Sequence, residues 1–314
     1  ARGFACEFHH CSADPESVDA VVFPEIGIAL FDGTAPHVLD PKFPGVVDEM
    51  IDLGQFGDEG KLLPHKDDIL RLSALGKQHF QRAYAYLAAA NHVRSVEAQV
   101  NRRARDEAFV HGAMRQLVDD IASIAREQSA VAHLSPDARP GRQRRLFASS
   151  ITPNGPRHHL PSLVDSLPYV FVVRGRPGAG ASLLLHKVAD TIAYMGLDAE
   201  LFFCALDPTR LEHVIVPAIG AAVITSRPPH DYEPDGATII NLDEKLQLSA
   251  DDAEHVAAAR RSFDELFEHA LAALADAQKC HLKVEALYAP AMDFDGMERL
   301  RLQIRDRILT YAVR

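Results

Sequence analysis

The chain has 314 residues, of which 47% are hydrophobic and 25% charged, so it is long enough for about two domains with buried cores. Its formal net charge of −11 argues against nucleic-acid binding driven by phosphate neutralisation. No apolar run approaches the ~20 residues that span a bilayer, so no membrane partner is expected. Four cysteines without C-x-x-C spacing indicate reduced thiols in a cytoplasmic protein.

Two segments of the chain, Gly3–Pro41 and Gly196–Pro234, are related at a constant offset of 193 residues. Thirteen of the thirty-nine aligned positions are identical without a gap, and several are Gly, Pro or Asp, on which turns depend. This pattern indicates a duplicated domain. We expect a first repeat at 1–134, a linker at 135–144 rich in Pro, Gly and Arg, and a second repeat at 145–314.

In the first repeat, Cys6–Cys11 and Ile26–Phe31 are predicted strands, and Glu16–Phe23 is a short amphipathic segment between them. Helical spacing of apolar residues dominates over 66–128. The basic run at 102–105 within that region is interpreted as a solvated helix face, with a phosphate-reaching role as the less favoured alternative.

Three side chains of the first repeat are candidates for chemistry. Asp32 follows four apolar residues, as does the Walker B carboxylate that holds Mg²⁺ through water, although such an aspartate can also cap a turn. Asp14 follows a predicted strand and could be a general base toward a substrate hydroxyl, or an N-cap ahead of Pro15. His37 follows the next strand and could contact phosphate, relay a proton or hydrogen-bond a loop carbonyl.

In the second repeat, the apolar run Tyr169–Arg174 leads into a glycine-rich turn, and a helical pattern continues to about Tyr194. This is the arrangement of a phosphate-binding P-loop, G-x-x-x-x-G-K-[ST], except that Ala181 stands in place of the lysine. Ser182 stands where a hydroxyl ligates Mg²⁺, and the glycines let backbone N–H groups converge on an anion. The predicted cofactor-binding residues are Gly175, Arg176, Pro177, Gly178, Ala179, Gly180, Ala181 and Ser182.

The second repeat lacks two charges that phosphoryl transfer uses. Ala181 removes a cation from the β- and γ-phosphates, and Thr225 stands at the position equivalent to Asp32. Nucleotide binding is therefore expected to survive better than turnover. Candidate replacement cations are Arg176, the most attractive, Arg174 and Lys187. Asp207 and His230 stand at the positions equivalent to Asp14 and His37, and the same alternative roles apply to them.

Strands alternating with helices predict an α/β fold of two repeated P-loop NTPase-like domains. Each has a parallel sheet covered on both faces, with strands at Glu200–Cys204 and Ile219–Thr225 in the second, and long helices follow each sheet. At an offset of 193, the first-repeat counterpart of Gly175 would precede Ala1. The first strand, loop and helix of the first domain are therefore expected upstream of this sequence.

The chain resembles a family of uncharacterised bacterial tandem P-loop ATPases. The stretches that carry the resemblance are Cys11–Pro15, Pro24–Glu25, the run D-G-T-A-P-H at 32–37, Ala83–Ala90, Leu146–Gly155, Gly175–Ser182 and Ala291–Phe294. The resemblance implies a nucleotide site in each half, with Asp32 serving the first and Gly175–Ser182 the second, and with ATP and Mg²⁺ as cofactors. It implies an ATPase in the complete form. A small-molecule kinase with Asp14 or His37 near its acceptor, and a non-catalytic P-loop scaffold, remain alternatives.

Overall fold

The computed structural model describes residues 3–34, 38–128, 130 and 139–312. The strands are β1 (Glu7–His10), β2 (Val18–Phe23), β3 (Ile28–Phe31), β4 (Gln143–Leu146), β5 (Ser149–Thr152), β6 (Gly155–His158), β7 (Tyr169–Arg174), β8 (Ala199–Phe203), β9 (Leu211–Val216), β10 (Ala221–Ser226) and β11 (Thr238–Asn241). The helices are α1 (Glu59–Leu62), α2 (Lys66–Ala104), α3 (Glu107–Glu127), α4 (Leu160–Val164), α5 (Ala181–Tyr194), α6 (Ala250–Tyr288) and α7 (Phe294–Tyr311). Among the described residues, no helix combines the length and the apolarity needed to cross a lipid bilayer.

The described chain divides into two compact units. Unit 1 holds the described residues up to Arg82 and from Ala272 onward, and unit 2 spans Ala83–Leu271. These units do not coincide with the predicted repeats, whose boundaries stay a prediction. Within the predicted linker, residues 135–138 lie outside the described residues, while 143–144 already belong to β4.

Unit 2 contains a six-stranded sheet in the order β11-β7-β10-β9-β8-β4. Strand β7 pairs in parallel with β10 and β11, and β4 pairs in parallel with β8, but β9 is antiparallel to both neighbours. The prediction of a parallel sheet is wrong at β9. Only the short turn Pro217–Gly220 joins β9 to β10, whereas a parallel connection needs a crossover of a dozen or more residues.

Both faces of this sheet are buried, as predicted. Successive residues of a strand point to opposite faces, so Phe171 and Val173 pack in a cluster with α3 and α5, while Val172 packs with Leu160 and Val164 of α4. The sheet is therefore held between helices, which fixes the position of the chain that leaves the carboxyl end of β7.

A three-stranded meander occurs in each unit, β1-β2-β3 in unit 1 and β8-β9-β10 in unit 2. The strand partners correspond at the offset of 193: Glu7 lies opposite Val22, and Glu200 lies opposite Ile215. The register shift near the end of the first strand recurs, and so does a 3₁₀ turn before the third strand that ends on a glycine with φ of 65° or 58°. The two segments therefore share their local structure as well as their sequence.

Most other element predictions agree with the structure, with two differences. The amphipathic segment Glu16–Phe23 is the strand β2 over most of its length, since its valines favour an extended chain paired on both sides. The helical region 66–128 is two helices, because Asp106 accepts a hydrogen bond from the Phe109 N–H and caps the start of α3. The strand Tyr169–Arg174 and the end of α5 at Tyr194 lie where they were predicted.

Candidate functional site

The glycine-rich turn joins a central strand to the first turn of a helix. Residues 175–180 connect β7, which has parallel strands on both sides, to α5, and this is the predicted position. Gly178 and Gly180 have φ values of 89° and 120°, which other residues rarely adopt. The first N–H groups of α5 have no hydrogen-bond partners within the helix. They lie at the end of the sheet where the loop leaves β7.

Two helices pack directly on this loop. A Cβ atom at Gly178 would lie 2.1 Å from the Ala98 carbonyl oxygen of α2, and one at Gly180 would lie 2.9 Å from a Val110 methyl of α3. The Nδ2 of Asn101, a residue with no exposed surface, donates to the Pro177 carbonyl at 2.8 Å. The loop is thus fixed by close backbone contact and by a hydrogen bond to one of its carbonyl groups.

A cleft of about 790 Å³ opens beside the loop. Its walls are α2, the loop with the start of α5, the turn between β8 and β9, and the carboxyl end of β10. This volume is within the range of small-molecule sites in proteins. At the start of α5, Ala181, Ser182 and Leu183 all line it, so the positive end of the helix faces the cleft.

Arginine dominates the lining of the cleft. Among the described residues that line it, Asp207 is the only carboxylate. The lining arginines are Arg94, Arg102, Arg105, Arg176, Arg210 and Arg227. The chain as a whole has a net charge of −11, so the lining of this cleft has the opposite sign of charge to the protein as a whole.

The replacement cations expected from the sequence are paired or lie elsewhere. The Arg176 backbone N–H donates to Asp243 at 2.9 Å, and its Nε lies 3.7 Å from the same carboxylate. Arg174 forms a two-point ion pair with Glu233 and does not line the cleft, and neither does Lys187. Arg176 therefore reaches the cleft with part of its charge compensated.

At the deep end of the cleft, one carboxylate serves two guanidinium groups. Glu212 accepts from Arg227 at 2.6 Å and from Arg210 at 3.3 Å, and the three side chains are 6%, 12% and 17% exposed. Burial opposes ionisation of Glu212, but Arg227 and Arg210 outweigh it and hold its pKa at about 2. Glu212 is therefore a permanent anion at neutral pH.

Arg94, on α2, belongs to the same buried region but contacts an aromatic ring instead of a carboxylate. It is 8% exposed, and its guanidinium carbon lies 5.8 Å from the centre of the Phe263 ring. No described carboxylate lies within ion-pair distance of it. Burial, with repulsion from Arg227 and Arg210, lowers the Arg94 pKa to about 9.

Two buried histidines lie beside a small cavity of about 20 Å³ that shares Arg94 and Arg227 with the cleft. The His213 Nδ1 accepts from the Thr225 N–H at 3.2 Å, and the His230 Nδ1 is buried without a hydrogen-bond partner among the described residues. Burial lowers the pKa of each histidine to about 4. Both are neutral at pH 7, so His230 contributes no positive charge there.

The predicted catalytic aspartates hold turns. The Asp207 Oδ1 accepts from the N–H and the hydroxyl of Thr209, and in unit 1 the Asp14 carboxylate accepts from the Ser17 hydroxyl. Asp207 lines the cleft, but Asp14 belongs to the other unit. A general-base role for either stays a prediction. His37 lies outside the described residues.

The residues predicted to hold magnesium form an incomplete donor set. In unit 1, the Asp32 carboxylate accepts from the N–H and the hydroxyl of Thr34, as a turn cap does. In unit 2, the equivalent position is Thr225, and the Ser182 hydroxyl lies 3.4 Å from His186 Nδ1. No group of three or more potential metal-ligating side chains occurs in the described parts of the chain. The protein residues at the cleft therefore do not fit a magnesium ion held by carboxylates.

The sequence reasoning missed Arg94, Arg210 and Arg227, and it disfavoured a phosphate-reaching role for the run 102–105. The run 102–105 was interpreted as solvated, yet Arg102 and Arg105 line the cleft, and the Arg105 side chain is only 12% exposed. The available signal was the spacing of Arg94 and Ala98, which places a small residue one turn after an arginine on one face of α2. That small residue is where the loop approaches.

The chain was compared with known proteins. No protein-family model matches it, and no curated protein and no solved structure shows significant similarity to it.

The close packing of α2 on the loop predicts the effect of adding one methyl group. Gly178→Ala should destabilise unit 2 by about 3 kcal/mol or more, because the new Cβ is strained at this φ and collides with the Ala98 carbonyl. The measurement is urea denaturation followed by circular dichroism. Gly112→Ala in α3 is the matched control: its Cβ meets nothing within 4 Å, and it should stabilise by about 0.5–1 kcal/mol. Equal midpoints for the two variants would contradict the packing.

The buried histidines predict a pH dependence of stability. Since the unfolded chain protonates His213 below about pH 6.5 and the folded chain only near pH 4, stability should fall as the pH decreases across that window, by on the order of 2–3 kcal/mol for this residue. His213→Asn should flatten the decline measured by denaturant titration at each pH. The exposed control His255→Asn should keep it. An unchanged slope in His213→Asn would show that this imidazole is not buried in its neutral form.

Proposed function

We propose that unit 2 binds a nucleoside triphosphate such as ATP through its phosphate groups. The N–H groups of loop 175–182 and the start of α5 would hold the β-phosphate, and arginines of the cleft would replace the missing lysine. The observation that carries this proposal is the opening of an arginine-lined cleft on a glycine loop, between a central strand and the start of its helix.

The chemistry of arginine suits this replacement. A guanidinium group stays protonated at all physiological pH values and offers two parallel N–H donors to a phosphate, whereas an ammonium group acts as a single point of charge. Arg105 lies beside the loop, with its Nη1 3.4 Å from the Gly178 carbonyl oxygen and its Nε and Nη2 paired with Glu107, so a partly compensated cation lies next to the position where Ala181 has removed one.

The same site favours binding over turnover. At the end of β10, Thr225 replaces the carboxylate that would hold Mg²⁺, and Asp207 uses one carboxylate oxygen to hold its own turn. A histidine with a pKa near 4, such as His230, is a weak base at neutral pH. Any Mg²⁺ would have to come bound to the nucleotide's phosphates, with the Ser182 hydroxyl as its protein ligand.

We further propose that the chain derives from two P-loop NTPase-like domains, as its resemblance to tandem P-loop ATPases implies. The recurrence of the meander with the same strand register at offset 193 supports this origin. In such a tandem arrangement, ATP hydrolysis would belong to the first domain, where Asp32 is present, and unit 2 would be a regulatory nucleotide site.

A phosphotransferase is the second candidate, because Asp207 lines the same cleft as the loop. Its free carboxylate oxygen would accept the proton of an acceptor hydroxyl. Loss of ATP-dependent phosphorylation of an added acceptor in Asp207→Asn, with ATP binding unchanged, would distinguish this function from nucleotide binding alone.

The proposal predicts that a lysine restored to the loop strengthens nucleotide binding. Ala181→Lys should tighten binding of MgATP by about tenfold or more, because it adds a charge-assisted hydrogen bond in the cleft. Isothermal titration calorimetry measures the affinity, and the ATP-dependent rise in Tm gives a second measurement. The control is Tyr194→Lys, which adds the same charge at the exposed far end of α5 and should leave the affinity unchanged. No heat of binding and no rise in Tm with millimolar MgATP, in wild type and Ala181→Lys alike, would refute a nucleotide site.

A further inference from the structure

The deep end of the cleft holds more buried positive charge than the protein compensates. Arg94, Arg210 and Arg227 are 8%, 17% and 12% exposed, and Glu212 is the only described carboxylate that pairs with any of them. His213 and His230 are neutral at pH 7, so they neither add to this positive charge nor compensate it. Three guanidinium groups against one carboxylate leave a local charge of about +2, which is costly to bury without a counter-ion.

The same groups leave hydrogen-bond donors unused. Arg94 donates to no described protein acceptor and is held only against the face of Phe263. The Nε of Arg210 is buried and has no partner in the described parts of the chain. Buried donors in proteins are almost always satisfied, so the Arg210 Nε points to an acceptor that is not part of this chain, and Arg94, which lines the same cleft, has donors that no described protein group uses.

A tetrahedral oxyanion matches this arrangement in both charge and shape. Phosphate is largely a dianion near pH 7, which equals the excess charge, and its oxygens accept paired N–H groups from guanidinium forks. Arg94 lines both the large cleft and the small cavity, so an anion bound to it would lie at the junction of the two.

We infer that Arg94, Arg210 and Arg227 form an oxyanion subsite that takes a phosphate group at the deep end of the cleft. The phosphate comes either from the terminal group of the bound nucleotide or from a separate phosphate. Only the first of these sources rests on the proposed nucleotide binding, since a free phosphate needs the arginines alone.

The test is calorimetric titration of the full chain with inorganic phosphate. Wild type should bind one phosphate, and Arg94→Gln should weaken binding by about tenfold or more because a charged two-point donor is lost. Arg261→Gln, at an exposed arginine of α6, is the control and should bind as wild type does. No saturable phosphate binding, or equal affinity in Arg94→Gln and wild type, would overturn the inference.

Titrations in the presence of nucleotide separate the two sources. Phosphate that binds together with ADP but is excluded by ATP identifies the nucleotide's terminal phosphate as the occupant, whereas phosphate that binds beside both identifies a separate one. Competition by ADP as strong as that by ATP would place the phosphate on the glycine loop and overturn the subsite. Phosphate binding through Arg94 without any binding of ATP or ADP would refute the nucleotide proposal and leave the subsite standing.

Stability measurements guard against a variant that fails to fold. Because Arg94 is an uncompensated buried charge, Arg94→Gln should raise the Tm of the ligand-free protein by a few degrees, and added phosphate should raise Tm less than in wild type. If Arg94→Gln is unfolded, the phosphate affinity of Arg210→Lys tests the inference instead. It keeps the charge beside Glu212 but loses the guanidinium fork, so it should fold and bind phosphate about tenfold more weakly.

Discussion

The site depends on the contact between the backbone of α2 and the backbone of the glycine loop. The Ala98 carbonyl approaches Gly178 so closely that position 178 has no room for a side chain. Because a helix is rigid over several turns, this one contact also determines where Arg94 lies, one turn earlier on α2. The Asn101 hydrogen bond to the loop holds the same alignment. A glycine loop at the start of a helix is thereby placed next to the cations of a distant segment.

The two meanders have the same local fold but carry side chains of different charge at equivalent positions. At equivalent positions, unit 1 has Ser17, Asp32 and Thr34, whereas unit 2 has Arg210, Thr225 and Arg227. The strand register is the same in both, so the backbone places each set at the same edge of its meander. Hydroxyls and a carboxylate suit a cation, and guanidinium groups suit an anion. On the proposed duplication, this exchange replaces a carboxylate suited to a cation by arginines suited to an anion at the same edge.

The parts of the fold that local pattern determines were predictable from the sequence. Tyr169–Arg174 was correctly bounded because an apolar run ends at a glycine turn, and α5 because its period is helical. The antiparallel β9 was missed because its direction depends on the length of a turn rather than on its own residues. The arginine cluster was missed for a different reason: Arg94 and Arg227 are far apart in sequence, and only the packing of α2 on the loop brings their side chains to one cleft.

The uncompensated charge also links ligand binding to the stability of the fold. Without an anion, Arg94 is buried against the Phe263 ring and its pKa is lowered. The desolvation of this charge then destabilises the folded protein. An anion that removes the cost binds the folded state alone, since the unfolded chain solvates the same guanidinium group in water. On the proposed phosphate subsite, binding and folding therefore stabilise each other through one side chain. A buried lysine could lose its proton and so avoid the desolvation penalty of a buried charge. Arginine keeps its charge and therefore its attraction for an anion.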